Sequence, residues 1–405
     1  MSILCYTLEH LKLFFSQLKK EDKKMKKVAS VCLIIMLAGV IYCFANLKSG
    51  ETEIPTKSPE SPAIKSPPVV APKEAAQESG ILADIKRARQ MLEKEEAGFS
   101  IKEKKFKGQW EVENPKYLLA IRHTNGEIKI VRVDPKAGEW QPQEYVIDWG
   151  KLNGVNTKFT VIYPENSVVL AVKRVVRDPN ELFKEVIYTP YSAEIDCQEL
   201  RDAGMDYLKK TIKEARNKLK RVPSLAHEGR SVAETTSEEQ SLVLALIEHM
   251  DPDRLLQKEP IEKLMGEVLA VIGANQGMAY RYSVSSANAR GLWQFIPRTY
   301  ALIKDKYPEA ALHQDFIEGM SDHKNAAKAS MLLFDSDLSY LKEQKVSAGN
   351  DMVLGKQLAS AYNCGAKRTA KEIKAHKNLW ERKVPHETRL YLKKFNAAWD
   401  SLFGA

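Results

Sequence analysis

Gln276-Gly-Met-Ala-Tyr280-Arg-Tyr-Ser-Val-Ser285-Ser-Ala-Asn-Ala-Arg290-Gly-Leu-Trp-Gln-Phe-Ile-Pro297 is the stretch on which the fold turns. An apolar segment with helical texture, Leu264 to Ala274, leads into it. A turn rich in Ser and Ala follows, then Gly291-Leu-Trp-Gln-Phe-Ile-Pro297. Three more groups lie downstream: Asp322-His-Lys-Asn325-Ala-Ala-Lys-Ala329, Ala361-Tyr362-Asn363-Cys364-Gly365, and Val384-Pro-His-Glu387-Thr388-Arg389-Leu-Tyr391. The region around them reads as helical to Phe403 and opens on a capping-box pattern at Thr236-Ser-Glu-Glu239. Leu242, Leu244, Ala245, Ile247 and Met250 give its first helix an apolar face.

These motifs, in this order, resemble the soluble lytic transglycosylase domain, most of all the membrane-bound lytic murein transglycosylase D type. That family reads Glu-Ser-x-Phe, then Ala-x-Ser, then Gly-(Leu/Ile)-(Met/Trp)-Gln-x-Met-Pro. Ser285, Ala289, Gly291, Leu292, Trp293, Gln294 and Pro297 fall in register without a gap. Ala361–Gly365 matches its Ala-Tyr-Asn-x-Gly, and Pro385–Tyr391 its closing Pro-x-Glu-Thr-x-x-Tyr. The resemblance covers about 242–399. It implies an all-α, lysozyme-like domain with a groove for peptidoglycan glycan strands. In active members one glutamate protonates the glycosidic oxygen, the substrate's N-acetyl group stabilises the sugar cation, and the same glutamate then removes the C6 hydroxyl proton. The product is a 1,6-anhydro sugar, outside the two-carboxylate scheme of most glycosidases.

Counting back from Gly291, the family's catalytic glutamate falls on Gln276, its serine on Gly277 and its Phe on Ala279. A glutamine amide hydrogen-bonds but does not exchange a proton at useful pH, so Gln276 is expected to be inactive as an acid. Glu387 is the candidate substitute; Glu267, nine residues before Gln276, is expected on another helix face. By position in the motifs, Gln294, Tyr362, Asn363, Glu387 and Trp293 are the expected substrate-binding residues. For Trp293 and Phe295 core packing is an equal expectation. His323, His376 and His386 read as surface residues. No Cys/His spacing suggests a metal site, and no cofactor is expected.

The rest of the chain points to an α+β multidomain protein: an N-terminal membrane anchor, a small β-rich module, and the C-terminal all-α lysozyme-like domain. Residues 1–27 are basic, with six lysines between Lys19 and Lys27, and Val28 to Ala45 is an almost wholly apolar run of 18 residues. That is long enough to span a bilayer core, and the flanking charge puts the N-terminus in the cytoplasm. Residues 28–46 therefore read as a transmembrane anchor or uncleaved signal, with a cleaved signal peptide starting near Met25 as the rival. Residues 47–80, with Pro55, Pro59, Pro62, Pro67, Pro68 and Pro72, form a linker that holds the body away from the membrane. Residues 81–192 combine a helix with β texture. Asn125-Gly126 marks one hairpin, and Pro164-Glu-Asn166 a second between Lys158–Tyr163 and Val168–Val176. Residues 193–235 read as a charged helix and a second linker, and 236–405 as the helical domain. Cys197 and Cys364 fall in different segments, so a disulfide is unsupported.

Three functional readings follow. The first is an extracytoplasmic, membrane-anchored peptidoglycan binder with lost or much reduced cleavage, located in the bacterial periplasm or cell wall. The second is an active lytic transglycosylase using Glu387 or another acid. The third is an envelope scaffold acting through a protein partner of the β module. The net charge of +9 suits an anionic wall or lipid surface, and no nucleic-acid motif accompanies it.

Overall fold

The computed structural model describes residues 80–104, 110–113, 116–134, 144–149, 158–178, 182–347 and 351–404. The basic segment, the apolar run at 28–46 and all but the last residue of the Pro-rich linker lie outside them. Among the described residues no helix is long and apolar enough to cross a membrane. Cys197 and Cys364 are free thiols.

The first helix, α1 (Ile81–Glu93), buries Ile81, Ile85, Ala88 and Leu92, the four positions that its 3.6-residue period places on one stripe. Its N-terminus is capped from a distance. The Glu199 carboxylate accepts from Ile81 N at 3.1 Å and Leu82 N at 3.3 Å, satisfying two orphan donors with a negative charge at the positive dipole end.

The β module follows. Strands β1 (Ser100–Glu103) and β2 (Trp110–Glu113) make a separate, largely exposed hairpin. Strands β3 (Tyr117–Arg122), β4 (Ile128–Val133), β7 (Val168–Asp178) and β8 (Leu182–Tyr188) form an antiparallel sheet in the order β4-β3-β7-β8. Alternation divides its faces: Leu118 and Ala120 pack on α1, while Leu119 and Ile121 meet Ile147 and Phe159 of the small sheet β5 (Val146–Trp149) and β6 (Phe159–Tyr163). The β3–β4 turn is the hairpin expected at Asn125-Gly126, closed by His123 N to Glu127 O and Gly126 N to His123 O, both 2.9 Å.

The second expected hairpin is a corner instead. Strand β6 pairs with β5, and β7 pairs with β3 and β8, so Pro164–Ser167 carries the chain from one sheet to the other. A turn signal between two apolar runs marks a reversal but does not say which strand claims the edge. Here β7 is a central strand with both edges taken. Ser167 Oγ and Tyr145 OH hold opposite nitrogens of His123, at 3.2 and 2.9 Å, and tie the corner to the β3–β4 turn.

The helical body is built from α2 (Gln198–Lys218), α3 (Val232–Thr235), α4 (Glu238–Ile247), α5 (Pro252–Leu256), α6 (Ile261–Asn275), α7 (Pro297–Lys306), α8 (Phe316–Ser321), α9 (His323–Glu343), α10 (Asp351–Cys364), α11 (Ala366–His376) and α12 (His386–Phe403). Its central helix is α9, where Ala326, Ala327 and Ala329 let neighbours approach and Met331, Leu332 and Phe334 fill the core. Asp322 caps it, accepting from Lys324 N at 2.9 Å.

Two segments expected to be peripheral belong to this core. The charged helix α2 buries Leu208, Ile212 and Ala215 with the helical core and Leu200 with the β module. It crosses α6 at glycines: a Cβ on Gly204 would sit 2.1 Å from Leu269 O, and one on Gly273 2.0 Å from Leu200 O. Residues 222–235, expected as a linker, bury Val222, Val232 and Ala233. The buried Asp335 carboxylate fixes them, accepting from Ser224 Oγ, from Leu225 N at 2.7 Å and from Thr235 Oγ1 at 3.0 Å; Tyr307 OH adds a bond at 2.8 Å. Ser224 and Thr235 there serve a buried hydrogen-bond network, while Glu228, Arg230 and Glu234 stay exposed. The capping box forms at Ser231 and Glu234; at α4 the cap is Ser237, which accepts from Gln240 N at 3.1 Å.

Candidate functional site

The downstream motifs converge at the C-terminal end of α4. Thr388 Oγ1, on the first turn of α12, donates to Asn363 Oδ1 at 2.7 Å. Tyr391, one turn on, donates to Glu248 Oε1 at 2.6 Å. Tyr362 OH donates to the backbone carbonyl of Trp293, and its ring meets Phe295 edge-on at 5.7 Å and Phe334 at 6.0 Å. Three motifs separated in sequence are thus sewn together by hydroxyls that reach fixed acceptors.

The expected binding residues take different places around this junction. Asn363 is half-buried and Glu387 exposed on the first turn of α12. Tyr362 is half-buried and spends its hydroxyl on the Trp293 carbonyl. Trp293 itself is fully buried, with Nε1 donating to Ser241 O at 3.1 Å, so its indole is part of the core and has no face to offer a sugar. Gln294 braces its own turn: Nε2 donates to Gly291 O at 2.7 Å and to Ser283 Oγ at 3.3 Å. In the same turn Ser285 Oγ accepts from Ala289 N at 3.0 Å. Gly291 adopts φ 72° there, where a Cβ would lie 2.4 Å from Met320 O.

Glu248 is the residue that motif reading missed. It ends the apolar run of α4, matches none of the motifs, and its only sequence signal is a carboxylate following six apolar residues. Burial pushes its pKa up to about 7; Tyr391 and Lys394 pull it down and Glu387 pushes it further up. Lys394 is buried and donates to Ile247 O at 2.5 Å and Met250 O at 3.3 Å; burial lowers its pKa. A carboxyl poised near neutrality beside a second carboxylate is a chemically competent proton donor.

Gln276 lies elsewhere in the chemistry of the site. It closes α6 with φ 46° and ψ −121°, is exposed, and its side chain makes no hydrogen bond among the described residues. A Cβ at Gly277 would meet only Tyr207 OH at 3.6 Å, an ordinary contact that leaves room for a serine. Asn275, just before it, is buried and committed to the β module. Its amide donates to Thr189 O at 2.9 Å, and its carbonyl oxygen accepts from Thr189 N at 2.8 Å and from Arg89 Nη2 at 2.5 Å.

Two histidines, His323 buried and His249 half-buried, fix the loop that follows. His323, expected on the surface, is 3 % exposed at the start of α9, taking Tyr207 OH on Nδ1 at 3.0 Å and the Ala279 carbonyl on Nε2 at 2.9 Å. Burial pulls its pKa down to about 4. His249 stacks on Tyr280 with ring centroids 3.6 Å apart and bonds the Leu292 carbonyl through Nε2 at 3.0 Å; burial takes its pKa to about 3. Both are neutral at pH 7 and act as rigid donors to carbonyls. His386 is exposed, and His376 lies 3.4 Å from Glu372. Glu267 sits on α6 with both oxygens on the Arg254 guanidinium, at 2.6 and 2.7 Å. Among the described residues no group of three or more His, Cys, Asp or Glu could hold a metal ion.

Residues 264–384, under a third of the chain, match the family model described as the transglycosylase SLT domain. No curated protein matches the chain.

Proposed function

We propose that this protein, a member of the lytic transglycosylase family through the SLT domain at 264–384, grips peptidoglycan glycan strands while cleaving them little or not at all. The SLT domain makes peptidoglycan its substrate or binding partner. The observation that carries the loss of cleavage is Gln276 in the register of the family's acid, exposed at the end of α6 and without a side-chain partner among the described residues. General acid catalysis supplies about 10²–10⁴-fold, so an amide there leaves little turnover. Asn363 and Glu387 are the residues offered to the glycan. The D-type resemblance belongs to this proposal, as does the envelope setting: residues 28–46 in the cytoplasmic membrane, 47–80 as a spacer, and the body outside.

The test is incubation of the full-length protein with purified sacculi, measuring pelleting and soluble 1,6-anhydro product together. Wild type is expected to pellet and release little product, and Gln276→Glu to gain release. Robust wild-type release that survives Gln276→Ala would overturn the proposal. The half-buried Glu248, with its pKa near 7 beside Glu387, supports a second reading in which it donates the proton. Release abolished by Glu248→Gln and untouched at Gln276 would establish that reading instead.

A further inference from the structure

A concavity lies between the β module and α6, bordered also by His249, Tyr280 and Tyr282. It encloses about 500 Å³, within the range of ligand pockets. One wall is the α6 stripe Leu264, Glu267, Val268 and Val271, spaced i, i+3, i+4 and i+7 and so a single helix face. The facing wall is the end of β8 and its exit: Val186, Ile187, Tyr188 and Thr189 all line it. Successive strand residues point to opposite faces. Val186 and Tyr188 belong to the core under the small sheet, whereas Ile187 packs on the α1 side. A cavity that touches all of them must run along the edge of the strand. β8 is the last strand in the order β4-β3-β7-β8, with a partner on one side only among the described residues.

We infer that this cleft takes an extended peptide, added to the free edge of β8 and covered by α6, with one apolar side chain in the cavity and a carboxylate at its Lys158 end. Strand addition between an open edge and a helix supplies affinity through main-chain hydrogen bonds and selectivity through the side-chain pocket. The protein itself shows that this edge accepts such pairing. Where the cleft closes, the Asn275 amide donates to Thr189 O and accepts from Thr189 N, the two bonds an incoming backbone would make.

The interior suits an apolar anchor with some polarity. Val268, Val271 and Met278 are apolar, while Thr189 Oγ1 is buried with no hydrogen-bond partner. The charges select the sign. Arg254 is saturated by Glu259 and Glu267, at 2.6 Å each. Lys158 has no carboxylate partner among the described residues; its ammonium lies 4.9 Å from the Tyr191 ring centroid at the rim, open to a carboxylate. The chain's own segment Pro67-Pro68-Val69-Val70-Ala71-Pro72 fits poorly, because prolines have no N–H to give a ladder. The occupant we infer is a segment of another protein, with amides free for the ladder and a carboxylate for Lys158.

The probe is a fluorescein-labelled Ser-Thr-Val-Tyr-Val-Glu peptide with a free C-terminus, titrated by anisotropy into full-length protein in detergent micelles. Expected are saturable binding and slowed amide exchange at 184–188. Val271→Trp, which fills the cavity, should remove binding. Lys158→Glu, on an exposed residue that does not threaten the fold, should weaken it about tenfold, as one reversed rim charge pair would. Swapping the peptide's Glu for Lys should weaken wild-type binding and restore binding to Lys158→Glu. Unchanged amide exchange in β8 overturns the proposal, as does binding indifferent to Lys158→Glu. Tighter binding of the 67–72 peptide would make the occupant the chain itself. Displacement by N-acetylglucosamine trisaccharide would make the cleft a sugar site. Either result refutes the inference.

Discussion

The end of α6 and the junction of α10 with α12 both hold residues singled out in the sequence, and the structure treats them in opposite ways. At the junction every hydroxyl of the pattern is committed to a structural bond. Tyr362 pins the Trp293 carbonyl, Tyr391 holds Glu248, and Thr388 holds Asn363. At the end of α6, Gln276 is exposed and its side chain holds nothing among the described residues. A residue of the first kind cannot change without leaving a buried donor or acceptor unpaired. A residue of the second kind is constrained only by chemistry, and the fold loses nothing by its replacement. The neighbouring Asn275 shows the converse, a position tightly bound because it holds the β module.

That contrast breaks first at Tyr362. Tyr362→Ala removes a ring lodged between Phe295 and Phe334 together with its hydrogen bond, and should cost about 3–5 kcal/mol in denaturant unfolding, whereas Gln276→Ala should stay within about 0.5 kcal/mol of wild type. Equal losses at the two positions would erase the distinction. Asn275→Ala strands both backbone groups of Thr189 and should cost about 2–3 kcal/mol. Its signature is local: proteolysis and amide exchange should quicken at 186–191 before the helical body responds.

In the pH dependence the contributions of Glu248 and His323 differ in sign. Glu248 keeps its proton to about pH 7 when folded and only to about pH 4.3 when unfolded, so its contribution is full below pH ~4.3 and stability falls as pH rises toward 7. His323 is the reverse. Its folded pKa of about 4 lies below an unfolded value of ~6.5, so stability is full above pH ~6.5 and falls as pH drops toward 4. Thermal melts between pH 4 and 7 should show Glu248→Gln removing a fall in stability with rising pH and His323→Gln removing a rise, at about 2–4 °C per kcal/mol. A Glu248→Gln profile parallel to wild type would mean that its carboxyl is solvated and not the poised group at this junction.

By itself the sequence determined the resemblance of residues 264–384 to the SLT domain, because glycines, turn residues and motif tyrosines are local requirements read in order along the chain. It also determined α1, whose apolar stripe has one period, and the β3–β4 turn, whose Asn125-Gly126 pair fits few backbones. What only the tertiary structure decided are matters of partnership. Strand β6 goes to β5 instead of β7, residues 222–235 are drawn in by the buried Asp335, and His323 is taken inside by the Ala279 carbonyl and Tyr207. Composition marks such residues as solvent-facing, because a polar side chain looks the same whether water or a buried acceptor completes it. The same holds for Glu248 and Asn275, which match no motif: one gains its proton affinity from what buries it, the other its role from a strand edge more than eighty residues away in the chain.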